Sequence, residues 1–417
     1  MSEVESAIQA RRIPALHARR DLKMARDAHA YVRGSTQKFY EWLETLPGRA
    51  LPEGPRIWIC GDAHVGNLGP IARCDEVVEV ELRDLDQTVP GNPVHDLVRL
   101  ALSLAMAARS SDLPGVVTAR LIEEMMVGYL QAFEHPTATP LPSDSAAVRF
   151  VVRDALRRKW RHLHRERIGK QPKFPIGRRF LRLEPEERRA VSEFLNKERI
   201  RLLVTRLECR DDDAEIRLLD AAYWVKGCSS LGLWRCAALV EVVGHRQRKG
   251  GYSLLDIKEA VQPISKASDD RAAHAVHQGE RVVAGARALA PALGERMLAG
   301  TVAGHSVFVR ELMPQDLKLE LEMFDDAEAR ATARALAHIV GVAHARQLDQ
   351  AARDQWRTEI ERASTRNFDA PSWLWSSVVE LVGIHERAYL DHCRRYALAV
   401  EKIREAQVEL HHKLAEV

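Results

Sequence analysis

Asp62 and Asn67 stand five residues apart in the run Cys60-Gly61-Asp62-Ala63-His64-Val65-Gly66-Asn67-Leu68-Gly69, and Asp84-Leu85-Asp86 follows about twenty residues later. Phosphoryl transfer calls for this set: one carboxylate to accept the nucleophile's proton, and an amide with further carboxylates to hold Mg²⁺ against nucleotide phosphates. Mg²⁺ takes hard oxygen ligands and keeps several waters, so one or two carboxylates suffice. Asp62 is therefore the candidate base, and Asn67, Asp84 and Asp86 are the candidate metal ligands. His64 would either bind the metal or orient Asp62 through a ring nitrogen, and the orienting role is favoured. A plain turn, with Asp62 and Asn67 bonded to their own backbone, competes with this set.

Short strands must position these residues. Ile57-Trp58-Ile59 is an apolar run that enters the loop, and Val77–Leu82 alternates as a second strand and delivers Asp84. A turn at Pro90-Gly91-Asn92-Pro93 precedes an apolar helix from about Val94 to Ala108, and a further helix runs to about Phe133. His95-Asp96 resembles the paired His-Asp of metal phosphohydrolases, although a helix cap or a brace for the loop suits Asp96 better.

Composition narrows the class. At 417 residues the chain exceeds one ordinary core, and 46% apolar with 29% charged residues indicates a globular protein. A net charge of +3 gives little reason to expect nucleic acid or a membrane surface. Six scattered cysteines without a CxxC pair fit a reducing cytoplasm, and neither a signal-peptide core nor a membrane span is expected. Residues 153–179 carry eleven Lys or Arg with Trp160 and Phe174 among them, which reads as a solvated helix face ahead of a nucleic-acid groove.

Residues 1–47 and 151–203 are expected to be mostly helical. From 204 to 312 short strands dominate: Val204–Leu207, Glu215–Leu219, Tyr223–Val225, Leu233–Val243, Tyr252–Ile257 and Ser306–Leu312, with a helix from about Asp270 to Leu289. Helices follow over Asp325 to about Asp349 and from Pro371 on. Gly227-Cys-Ser-Ser-Leu-Gly232, between two of the strands, is either an ordinary hairpin or a loop that lays backbone N–H groups over phosphates. Lys258 is alone in an apolar strand after it, either on an exposed edge or paired with phosphate, with Glu280 and then Glu259 as candidate partners. Arg33, beside Gly34-Ser35, would contact a phosphate or pair with a buried carboxylate.

The loop resembles the G-D-x-H-x-x-N motif of aminoglycoside and choline phosphotransferases, which belong to the protein-kinase-like fold. Asp84-Leu85-Asp86, Gly91-Asn92-Pro93 and Asp96-Leu97 resemble their metal-binding segment, turn and helix start, with Cys60 and Leu85 as departures. The resemblance implies ATP and Mg²⁺ as cofactors. It makes Asp84 the principal metal ligand and Gly227, Ser229, Ser230, Gly232, Lys258, Glu280 and Arg310 the nucleotide contacts. The catalytic loop precedes the glycine loop and lysine, the reverse of kinase order, so the implied architecture is a circularly permuted two-lobe α+β fold. Residues 1–203 and 313–417 would form a mostly helical large lobe, and 204–312 a smaller antiparallel-sheet nucleotide lobe, with the hinge near Val307–Leu312.

The chain as a whole is similar to the bacterial family known as domain of unknown function 2252. The similarity runs through Lys23-Met24, Tyr31–Ser35, Gly61–Gly69, Arg83–Thr88, Asp96–Leu100, Gly227–Gly232, Ile257–Ala260, Gly279–Val283, Val309–Leu312 and Ala343–Arg346. The expected function is ATP- and Mg²⁺-dependent phosphoryl transfer to an acceptor that the sequence leaves unread. The alternatives are a metal-dependent phosphohydrolase built on Asp62, His64, Asp84, Asp86, His95 and Asp96, and a nucleotide-binding protein without turnover.

Overall fold

The computed structural model describes residues 3–48, 50–73, 77–111, 113–134, 136, 145–168, 172–205, 215–228, 230–243, 251–265, 277–317, 325–362 and 370–415. Two small antiparallel ladders frame the Asp62 loop. Strand β1 (Ile57–Ile59) leads into it and β2 (Leu68–Ala72) leads out; β3 (Val78–Leu82) pairs with β2, and β4 (Val89–Gly91) pairs with β1. The expected turn at Pro90-Gly91 thus begins as a strand. Pro90 is tolerated there because this two-stranded ladder leaves an edge on which a missing N–H costs nothing.

The larger sheet is antiparallel throughout. Its six strands are β5 (Phe180–Leu181), β6 (Glu215–Trp224), β7 (Arg235–Val243), β8 (Tyr252–Glu259), β9 (Met297–Val302) and β10 (His305–Glu311), in the order β5-β6-β7-β8-β10-β9. Side chains alternate between its faces. Cys236, Ala238, Leu255, Ile257, Val307 and Val309 point to one face and pack against Val191, Phe194, Ile200 and Leu203 of the helices Pro185–Leu195 and Glu198–Thr205. Arg235, Asp256, Lys258 and Arg310 have the opposite parity and face the rest of the molecule.

Val204 lies in the Glu198–Thr205 helix rather than in the expected strand. Ile200, Leu203 and Val204 are buried at positions i, i+3 and i+4, the helical period, and the remainder of the expected strand lies outside the described residues. The helices just before residue 204 therefore pack on the sheet. The expected Asp270–Leu289 helix is described from Gln278 to Leu289, and its beginning lies outside the described residues.

The helical part packs Val94–Ser110 and Gly115–Gln131 against Asp326–Ala345 and the start of Ser372–Ala415 around one apolar core. Val282, Val283, Ala286 and Leu289 of the Gln278–Leu289 helix join that core, so this helix links the sheet to the bundle. The class is α+β. Among the described residues no helix is long and apolar enough to cross a membrane.

Candidate functional site

The loop at Cys60–Asn67 is held from behind. Asp96, on the first turn of the Val94–Ser110 helix, is fully buried and accepts the backbone N–H groups of Cys60 (2.7 Å) and Gly61 (2.9 Å), while His344 Nε2 stands 3.1 Å from Asp96 Oδ2. Asp96 is thus the brace for the loop; Asn92 Oδ1 receives the Val94 N–H at the helix start. Gly61 is required locally. Its φ is +73°, and a Cβ there would stand 2.3 Å from the Gln87 carbonyl oxygen.

Asp62 projects from this braced loop and meets Arg99, whose Nε donates to Asp62 Oδ1 at 2.9 Å. Arg99 is fully buried and also donates to the Val32 carbonyl at 2.7 Å. Expected as a metal ligand, Asn67 uses its amide as a clamp. Its Oδ1 accepts the Asp84 N–H at 2.6 Å, and its Nδ2 donates to the Asp84 carbonyl at 2.7 Å. Loop and acidic strand end are therefore one rigid unit.

Lys258 comes to this unit from the sheet. Its Nζ lies 3.4 Å from Asp84 Oδ1 and bonds Asp86 Oδ2, joining residues 174 and 172 positions apart. Lys258 is 5% exposed, whereas the Asp84 side chain is 62% exposed. The low-water surroundings of the cavity oppose ionisation of Asp84 although its side chain reaches solvent, but Lys258, Arg310 and Arg235 outweigh this and hold its carboxyl well below the usual range. Asp86 moves the other way, raised by burial and by the Asp84 charge. Its Oδ1 is buried without a hydrogen-bond partner.

Beside Lys258 on the same sheet face, Asp256 accepts Arg235 Nε at 2.8 Å and Arg310 Nη2 at 3.3 Å. Register explains the cluster: Arg235 pairs with Lys258 across β7 and β8, and Arg310 with Asp256 across β8 and β10. Arg310 also donates to the Arg83 carbonyl at 3.1 Å, joining the sheet to the acidic strand end.

These groups border a cavity of about 240 Å³ that also contacts Lys23, Arg33, His64, Gly227 and Ser230. A second cavity of about 740 Å³ adjoins it. Arg83, Lys226 and Arg310 line both, and Phe150, Leu312 and Pro314 line the larger one. Some polar atoms here have no partner: His64 Nδ1 and Arg83 Nε and Nη1 are buried and unbonded. Burial pushes the His64 imidazole down to about 4 and the Arg83 guanidinium down to about 10. Lys226 falls well below its ordinary value through burial and the nearby Arg235.

Gly227 and Gly232 have φ of +97° and +108°, and the turn between β6 and β7 needs glycine at both. Gly227 and Ser230 reach the cavity, and Lys23 Nζ donates to the Gly227 carbonyl at 2.8 Å; Ser229 lies outside the described residues.

Glu280 is exposed on the first turn of its helix, away from Lys258, whose carboxylate partners are Asp84 and Asp86. Glu259 is engaged with the Trp234 N–H (2.7 Å) and His305 (3.0 Å). The neighbouring Arg281 binds the carbonyls of Asp86 and Thr88, tying the helix to the acidic segment.

Of the residues considered for a phosphohydrolase, His64 and Asp84 line the cavity, whereas Asp96 lies behind the loop. Asp96 braces the loop, and among the described residues no three His, Cys, Asp or Glu side chains group as a protein-enclosed metal site. In the basic segment Phe174 is buried and Trp160 packs against the sheet, so neither is presented for base stacking. Arg83, Arg235 and Asp256 were not singled out from the sequence. The signal that marks Lys258, a charge among apolar strand residues, applies equally to Arg235 and Asp256.

The family model described as "Uncharacterized protein conserved in bacteria (DUF2252)" matches residues 12–395. The chain belongs to this family. Family membership spans both the braced loop and the sheet that carries Lys258. Neither the curated proteins nor the solved structures yield a match.

Proposed function

We propose that this DUF2252 protein is an ATP- and Mg²⁺-dependent phosphotransferase with a kinase-like, circularly permuted arrangement. One observation carries the proposal: Lys258 of β8 meets Asp84 at 3.4 Å across a cation-lined cavity, although the two lie far apart in the chain. The donor set suits a metal bound to a triphosphate. Asp84 offers an exposed carboxylate and Asp86 a carboxylate oxygen without a partner, both hard ligands. Asp84 and Asp86 would hold Mg²⁺, which when bound offsets charge on the phosphate oxygens.

Lys258, Arg310 and the backbone at Gly227 and Ser230 would hold the phosphates, and Asn67 would keep Asp84 in place through its backbone. Arg99 fixes the Asp62 carboxylate through one oxygen. Asp62 would accept the acceptor's hydroxyl proton while that oxygen bonds to the terminal phosphorus. The bond to the departing nucleoside diphosphate breaks in the same step. Rate enhancement would come from positioning and electrostatics.

One observation favours nucleotide binding without turnover: Asp62 is tied to buried Arg99 and does not itself line the cavity. Calorimetric titration of the full chain with Mg-ATP tests the shared part, and absence of heat from folded protein would overturn both readings. Product formation from bound ATP then separates them.

A further inference from the structure

The cavity carries more positive charge than a nucleotide with its metal balances. Five arginine and lysine side chains besides buried Lys226 and Arg83, which burial shifts downward, and two carboxylates line it. Asp256 is engaged by Arg235 and Arg310, and Asp84 by Lys258. A triphosphate offsets only part of the excess, because its own Mg²⁺ cancels part of its charge.

The remaining cations are not spread evenly. Lys23 and Arg33 come from the N-terminal helices rather than from the sheet, and both line the cavity. Arg33 lies over the catalytic loop: a Cβ at Gly66 would stand 3.4 Å from its Cζ. Among the described residues the Arg33 guanidinium has no hydrogen bond or ion pair. Among the described residues Lys23 makes one bond, to the Gly227 carbonyl, and none to a carboxylate. Arg99 joins this group to Asp62, since it binds Asp62 through Nε and the carbonyl of Val32, the residue before Arg33, through Nη2. The unpartnered Nδ1 of His64 lies on the same side.

We infer that the acceptor is a small alcohol that already carries an oxyanion, a phosphate ester or a carboxylate, held by Arg33 and Lys23 so that its hydroxyl faces Asp62. This rests on the phosphotransferase reading and adds the acceptor's chemical class. An unpaired guanidinium matches an oxyanion through two parallel N–H donors, and Lys23 adds a point charge at the rim. The transfer step itself is unchanged: the new P–O bond forms at the acceptor hydroxyl, its proton goes to Asp62, and the nucleoside diphosphate departs.

The test is a titration of the full chain saturated with Mg²⁺ and a non-hydrolysable ATP analogue, which fills the terminal-phosphate position. Inorganic phosphate and acetate are the probes, in separate arms. One of them binds with unit stoichiometry, and the better binder tells ester from carboxylate. Arg33→Ala weakens that binding at least tenfold while analogue affinity changes less than twofold, and Lys23→Met gives a smaller loss of the same sign. Should Arg33→Ala fail to fold, Arg33→Gln reads the same loss. The inference is overturned if neither anion binds the saturated protein, or if Arg33→Ala weakens analogue and anion alike. Failure of the analogue itself to bind overturns the phosphotransferase reading and takes this inference with it.

Discussion

Two acidic groups flank the same loop and behave oppositely. Behind it, Asp96 is wholly buried with both oxygens engaged, and the network continues through His344 to Tyr129 (3.0 Å) and on to Trp356 (3.0 Å). In front of it, Asp84 is mostly exposed, and Asp86 Oδ1, His64 Nδ1 and part of Arg83 are without partners. A buried polar atom left unbonded costs about 1–3 kcal/mol, so a fold keeps few of them without cause. Asp96, buried with both oxygens engaged, therefore reads as architecture, and exposed Asp84 beside the cavity as a group open to a ligand.

Four measurements test that contrast. The largest effect is expected from Asp96→Ala, which leaves two loop N–H groups and His344 without their acceptor and should cost about 3–5 kcal/mol in denaturant unfolding. A stable Asp96→Ala protein would contradict the assignment of that side to architecture. Lys258→Met should do the reverse: nucleotide affinity falls at least tenfold, about 1.4 kcal/mol or more, with a smaller stability change than Asp96→Ala.

The third measurement uses pH. His64 sits near 4 in the fold against 6.5 when unfolded, so the unfolded chain takes up the proton first as pH falls. The stability present above pH 6.5 is then lost between 6.5 and 4. His64→Asn should make that limb shallower, leaving the part that belongs to the other histidines that burial lowers, His29, His95, His338 and His385. An unchanged limb would show that His64 is not held neutral. The smallest effect belongs to Glu280→Ala. Because Glu280 is exposed and away from Lys258, nucleotide affinity should change less than twofold; a tenfold loss would restore it as the lysine's partner.

Much of this arrangement was legible locally. Ile57–Ile59 and Val78–Leu82 declare themselves by apolar runs and alternation, and Val94–Ser110 by its apolar face. β2 and β9 escaped notice because Gly69, Pro70 and Gly300 interrupt patterns that neighbouring strands rescue by pairing. The site was half visible. Asp62, Asn67 and Asp84 were marked by type and spacing, yet the clamp role of Asn67 was not, because its partners are the backbone of a segment seventeen residues away.

Residue type, period and local order suffice to read the polar residues of the loop, the α+β class and the family. Which charges meet depends on the folded chain. Lys258 reaches Asp84 and Asp86 because strand parity and cross-strand register turn it, with Arg235, Asp256 and Arg310, to one face of the sheet. The Asp62 carboxylate and the Val32 carbonyl share one guanidinium because Arg99 is buried between the loop and the helix that carries Val32. Partners of that kind are separated by tens to hundreds of residues, and no local pattern encodes such a distance.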